Sequence, residues 1–178
     1  MGIAREPKPA KYLVALLSSD SDLLTSAESH LVSILGEIDG RSETVSWMAS
    51  KFYEEEMGTG LLRRFVSFAS LRTPEDLAAI KVRTQGFEDA YRAVASGGRR
   101  VNVDPGYLDA YKLVLASTKN AGQRIYLSCG IYAEVALLYH NGAFHGLDST
   151  YRDYLWPGTL AFLTQARSLY LTQLREIA

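Results

Sequence analysis

A chain of 178 residues with 47% hydrophobic side chains suits one domain with a real core and excludes a second domain of ordinary size. Lys and Arg number 19 against 20 for Asp and Glu, so the basic excess that duplex nucleic acid demands is missing. The lone cysteine, Cys129, excludes an internal disulfide and a multi-cysteine metal cluster, and suits a reducing compartment.

The N-terminus, Met1-Gly2-Ile3-Ala4-Arg5-Glu6-Pro7, has no signal-peptide run, and no segment approaches the ~20 apolar residues of a membrane span. A cytoplasmic protein that binds neither nucleic acid nor membrane is expected. In chain order, Tyr12 to Leu17 is an apolar run closed by Ser18-Ser19-Asp20 and reads as a buried strand. Leu24, Ala27, Leu31 and Leu35 recur at helical spacing, with Ser and Asp residues to cap the start and Gly36 as a left-handed stop. Arg41 to Met48 and Leu61 to Phe68 read as strands, and Glu54-Glu55-Glu56 between them as a solvated acidic helix face.

Thr73-Pro74-Glu75-Asp76 starts a helix, with a capping hydroxyl, proline at the first position and acid against the dipole. Leu77, Ile80, Thr84, Phe87, Tyr91 and Val94 carry it to Gly97-Gly98, and Arg99 to Val103 follows as a strand. The order β-α-β-β-α-β predicts an α+β fold whose first half is ferredoxin-like, with two helices on one face of an antiparallel sheet. Beyond Val103 turn signals come every few residues. Asp104-Pro105-Gly106-Tyr107 suits a type II turn, Lys119-Asn120-Ala121-Gly122 a further turn, and Asn141-Gly142 a two-residue hairpin. A C-terminal β-meander therefore extends the sheet, and a final helix opening at Pro157 covers it, all within a single domain, residues 1–178.

Along Ile131 to Tyr139 the odd positions read as the core face. A three-residue loop, Ser128-Cys129-Gly130, then pairs Ile125 with Ala133 on the core side and sets Arg124 opposite Glu134 and Tyr126 opposite Tyr132 on the other. That face reads either as a cross-strand ion pair under a tyrosine cover or as a binding surface with Arg124 as an anion fork. His140 and His145 lie near it, and a shared metal with Glu134 is the lesser reading of that spacing; no metal is assigned. Cys129 at the hairpin tip lacks an activating base nearby and reads as a turn residue. The phosphate-binding loop, the dinucleotide glycine fingerprint, His-Glu-x-x-His and Gly-x-Ser-x-Gly are absent.

Phe52-Tyr53, Glu56-Met57-Gly58, Arg64 to Phe68, Asn102 to Tyr107, Lys112 to Lys119 and Arg124 to Val135 together resemble the motifs of a small uncharacterised prokaryotic family, the domain-of-unknown-function family 4416. The resemblance spans nearly the whole chain. It departs from the family pattern at Phe52 for tyrosine, Ser117 for threonine, Asn120 for aspartate and Gln123 for histidine. It implies a site among these polar residues and no established reaction.

Two functions fit these readings. The first is a site for a small anionic, phosphate-bearing ligand or nucleotide, enzymatic or not. Lys112, Lys119 and Arg124 supply charge, Asp104 and Glu134 polar or proton-transfer groups, and Tyr107 and Tyr132 walls, all converging on one pocket. The second is a non-catalytic interaction module whose aromatic face from Tyr126 to Tyr154 meets a partner or a second copy as a homo-oligomer. No cofactor is assigned.

Overall fold

A computed structural model describes residues 2–94 and 96–177. Its centre is β1 (Ala10–Ser18), buried at every position. Tyr12, Val14 and Leu16 pack beneath two helices, α1 (Ser21–Leu35) and α3 (Leu77–Ala90), while Leu13 and Ala15 pack against α4 (Pro157–Glu176) on the other face. A strand covered on both sides reads as a continuous apolar run, which explains Tyr12 to Leu17.

Around β1 lie β2 (Ile38–Arg41), β3 (Val45–Ser46), β4 (Leu62–Arg72), β5 (Val101–Leu108), β6 (Lys112–Ser117), β7 (Ile125–Ser128), β8 (Ile131–His140) and β9 (Ala143–Gly146). The sheet order is β2-β4-β1-β5-β6-β8-β7, with β3 beside β4 and β9 beside β8, and every pairing is antiparallel. A one-turn helix, α2 (Glu54–Met57), stands between β3 and β4. None of the helices described is long and apolar enough to cross a membrane.

Several local expectations hold. The Asp20 side chain accepts from the Asp22 and Leu23 amides, Gly36 ends α1 with φ 91°, and Pro157 opens α4. Asn141-Gly142 is a two-residue turn with both residues at positive φ, joining His140 to Ala143. Others shift. Helix α3 ends at Ala90 and not near Val94, because the Tyr91 ring packs on Phe87 and the following loop closes on itself through Ala93 N–H to Gly98 O. Arg41 to Met48 divides into the end of β2 and the two-residue β3.

The β7–β8 pairing has the expected register, Ile125 with Ala133 and Tyr126 with Tyr132, by a different device. Cys129 and Gly130 form a two-residue turn at φ 52° and 75°, and an irregularity at Leu127 restores the pairing that a three-residue loop would have set. Burial is not its cause, since Ile125 is 73% exposed. A second bulge, at Ala136, turns Leu137 to the α4 face while Ile131, Ala133 and Val135 face α1 and α3. The odd positions of β8 therefore serve two different cores.

The main correction concerns Asp104-Pro105-Gly106-Tyr107, which is no turn. It runs through the middle of β5, with Pro105 opposite Val14. Pairing of β5 to β6 starts only at Gly106, so the Val101–Pro105 stretch has an open edge, the setting in which a strand tolerates proline. Gly106 is needed for close approach: a Cβ there would lie 2.5 Å from the Val114 carbonyl oxygen and 2.7 Å from the Leu115 side chain. Gly106→Ala is expected to destabilise the protein by about 1–3 kcal/mol through overpacking against backbone, read as a lowered urea midpoint. An unchanged midpoint would show that β6 gives way.

Candidate functional site

The parting of β5 and β6 leaves backbone groups to be satisfied from elsewhere. Val103 N–H donates to Glu88 Oε1 (2.6 Å), and the Val103 carbonyl accepts from Lys81 Nζ (2.7 Å), so two side chains of α3 cap the open edge in place of β6. Alternation along the strand puts the Pro105 nitrogen on that same side, where no N–H needs a partner. Lys81 also donates to Asp104 Oδ1 (3.2 Å), and Asn102 Nδ2 donates to the other Asp104 oxygen. Behind Asn102, Arg99 donates to its Oδ1 (2.6 Å) and grips Glu56 through two bonds of 2.8 Å.

The gap widens into a cavity of about 900 Å³. Strand register builds its floor: Arg63 and Asn102 flank Leu17, and Asp104 flanks Ala15, all on the face of the sheet that α4 covers elsewhere. Trp47, Phe52 and Tyr53 form one wall, Ser117 to Lys119 with Glu134 another, and Thr150 to Tyr154 a third. Arg63 and Asp153 form a buried ion pair there, Nε to Oδ2 3.1 Å, with the guanidinium 4.7 Å over the Trp47 ring. Neither Asp153 oxygen, nor Arg63 Nε or Nη1, makes a hydrogen bond, although all four atoms are enclosed.

The carboxyls of this cavity lean in opposite directions. Burial pushes Asp153 up from the ordinary aspartate range against the pull of Arg63. Burial acts on Asp104 in the same sense, but Lys81, Arg63 and Asn102 outweigh it and hold that carboxyl below the usual range. Burial, and then the charge of Asp104, raise the Tyr53 phenol, so it stays protonated.

Arg124 clamps two of the walls together. It donates to Glu134 Oε1 (2.9 Å), the Lys119 carbonyl (3.0 Å) and the Tyr151 hydroxyl (2.7 Å), while Gln123 Nε2 holds the second Glu134 oxygen (3.0 Å). The Arg124 and Glu134 side chains are 6% and 4% exposed, so this is a buried pair and not a surface one. Arg63, Lys81, Arg92 and Arg99 each have a carboxylate partner. Among the described cations of the lining, Lys119 and Arg152 alone have none, and Lys119 lies 4.6 Å over the Phe52 ring.

The profile of the family described as Domain of unknown function (DUF4416) matches residues 8–170. The chain belongs to this family. Comparison with curated proteins and with solved structures gives no match.

Of the residues singled out in this DUF4416 chain, Asp104, Lys119 and Glu134 line the cavity, and Arg124 stands directly behind Glu134. The other three lie elsewhere. Tyr107 packs against Tyr12 in the core under α1 and α3, Lys112 pairs with Asp109 at the opposite end of β6, and Tyr132 packs edge-on against Tyr126. The seven do not close on one mouth, because Lys112 opens β6 while Lys119 lies beyond its other end at Ser117. His140 and His145 stack at 3.9 Å on their own hairpin, and no group of three or more His, Cys, Asp and Glu able to hold a metal occurs among the described residues.

Reading the sequence missed Arg63, Asp153, Tyr53 and Tyr151. One signal was present: Arg63 shares its strand face with Phe65 and Ser67, a charge in register with a buried stripe. Asp153, in the short 3-10 helix Arg152–Leu155, offered none.

Glu88→Ala leaves Val103 N–H without its acceptor, and a loss of about 1–3 kcal/mol in urea denaturation is expected, against a much smaller loss for Glu88→Gln. Burial raises the Glu88 carboxyl, so its contribution is complete below the unfolded value of about 4.5 and is lost as pH rises through the folded value. Stability of the wild type relative to Glu88→Gln should therefore fall as pH rises through that window; a rise would contradict the assignment.

Proposed function

We propose that the cavity between β5 and β6 binds a small molecule carrying an anionic, phosphate-like group. The observation that carries this reading is the contrast between the four paired cations of the lining and the two unpartnered ones, Lys119 and Arg152, which are exposed and free to meet an anion. Aromatic walls and a few convergent polar groups are what small-molecule sites have in common. The enclosed, unbonded atoms of Arg63 and Asp153 support a site in which stability is not the sole constraint. A carboxyl pushed up beside one held down is the division that proton transfer requires, which keeps an enzymatic role within the reading. We also read the first half as ferredoxin-like, on the strand order β2-β4-β1-β5, and the protein as cytoplasmic, on its lone free cysteine.

Titration with inorganic phosphate is expected to raise the melting temperature, less so as sodium chloride is added. Lys119→Ala and Arg152→Ala should each weaken the effect by about 5- to 10-fold. Lys8→Ala, remote on the N-terminal segment, should leave it unchanged. No shift, or an equal loss from Lys8→Ala, would overturn the reading.

A second reading, an interaction module, rests on the edge strand β7, whose four residues are all exposed and include Ile125 and Tyr126. Tyr154 takes no part in such a face, since it is buried against Phe65. Sedimentation over a range of concentrations tests it, and a monomer throughout would count against self-association.

A further inference from the structure

We propose that the ligand of this cavity is a phosphorylated polyol such as a sugar phosphate, its hydroxyls meeting Asp104, Tyr53 and Tyr151 and its phosphate meeting Lys119 and Arg152. The inference rests on the anion-site reading and goes beyond it by assigning the uncharged part of the ligand.

Each Asp104 oxygen accepts one hydrogen bond, from Lys81 or from Asn102, and so keeps a lone pair for another donor. Asp104 is only partly buried and lines the cavity. The Tyr53 hydroxyl makes no hydrogen bond among the described residues, although Asp104, Arg63 and Tyr151 are near enough to act on its ionisation. Tyr151 accepts from Arg124, and its own proton is left to donate. A carboxylate with two open lone pairs beside two phenols calls for ligand groups that both donate and accept, and adjacent hydroxyls do both.

The aromatic wall argues for the same class. Tyr53 meets Trp47 at 75° and Phe52 at 87°, so the rings stand edge to face. A flat heterocycle is best held between parallel faces, and neither of these two contacts is parallel. Arg63 lies over one face of Trp47 and Lys119 over one face of Phe52, so each of these two rings keeps at most one open face, the kind that suits the C–H side of a puckered ring.

The test is calorimetric titration of the full chain with inorganic phosphate, phenyl phosphate, ribose 5-phosphate and glucose 6-phosphate. One sugar phosphate at least is expected to bind about 10-fold tighter than phosphate and phenyl phosphate, the gain one charge-assisted hydrogen bond supplies. Tyr53→Phe removes a hydroxyl that bonds nothing in the protein, so the fold should survive; it should cut that advantage about 5-fold or more and leave inorganic phosphate untouched. Asp104→Asn should also lower the affinity for the sugar phosphates relative to inorganic phosphate, and Lys119→Ala should weaken every phosphate compound alike. If phenyl phosphate binds as tightly as the sugar phosphates, or if Tyr53→Phe and Asp104→Asn both leave the sugar phosphates unaffected, the polyol assignment falls while the anion site stands. If none of the four compounds binds, both fall.

Discussion

The contact between Gly106 and the Val114–Leu115 backbone is the constraint on which the rest of the site depends. Below it β5 and β6 pair, and above it they part. A sheet that closed along its whole length would bury the Val103 edge in a ladder and leave no cavity. The parting instead exposes one N–H and one carbonyl to α3, and Glu88 and Lys81 reach through the gap to satisfy them. Backbone hydrogen bonding thus forces two ionisable side chains into the place where the cavity forms, and Asp104 balances the lysine.

The cavity is held open by charge as well as by strand geometry. Arg124 joins the β6–β7 loop, β8 and the segment holding Tyr151, and Arg99 joins α2 to β5 through Glu56 and Asn102. Both arginines are occupied, and breaking the buried Arg124–Glu134 pair on one side costs about 3–5 kcal/mol. They are therefore poor candidates for direct ligand contact and good ones for fixing the walls that make it. Lys119 is the opposite case: its carbonyl is tied down by Arg124 while its ammonium rests on an aromatic face, a contact weaker than a buried ion pair.

A separate polar cluster lies under α4. Lys11 is fully enclosed, donating to the Phe68 carbonyl (2.9 Å), to Gln173 (3.1 Å) and to Asp39. All three of its protons are used, so this lysine links β1, β2 and α4 and leaves nothing for a ligand. Lys11, with every proton placed, contrasts with Arg63 and Asp153, which meet each other as an ion pair of 3.1 Å without a hydrogen bond.

Local chemistry determined much by itself. Asp20, Gly36, Thr73-Pro74 and Pro157 act on their neighbours within a turn, and Asn141-Gly142 closes its hairpin through two positive φ values, so each was legible in the residues concerned. The pairing of Arg124 with Glu134 was legible too, because a hairpin register couples residues only ten apart. Tertiary structure decided what separated strands do to one another. Asp104-Pro105-Gly106 carries every local mark of a turn, yet pairing with β1 at all three positions, joined by β6 from Gly106 onward, holds it extended. The bulge at Ala136 exchanged the faces of β8, which no alternation pattern announces. The site gathers Trp47, Arg63, Asp104, Lys119 and Asp153 from more than a hundred residues of chain. Those residues meet only because antiparallel strands fold distant segments side by side, and a periodicity read one segment at a time carries no record of that meeting.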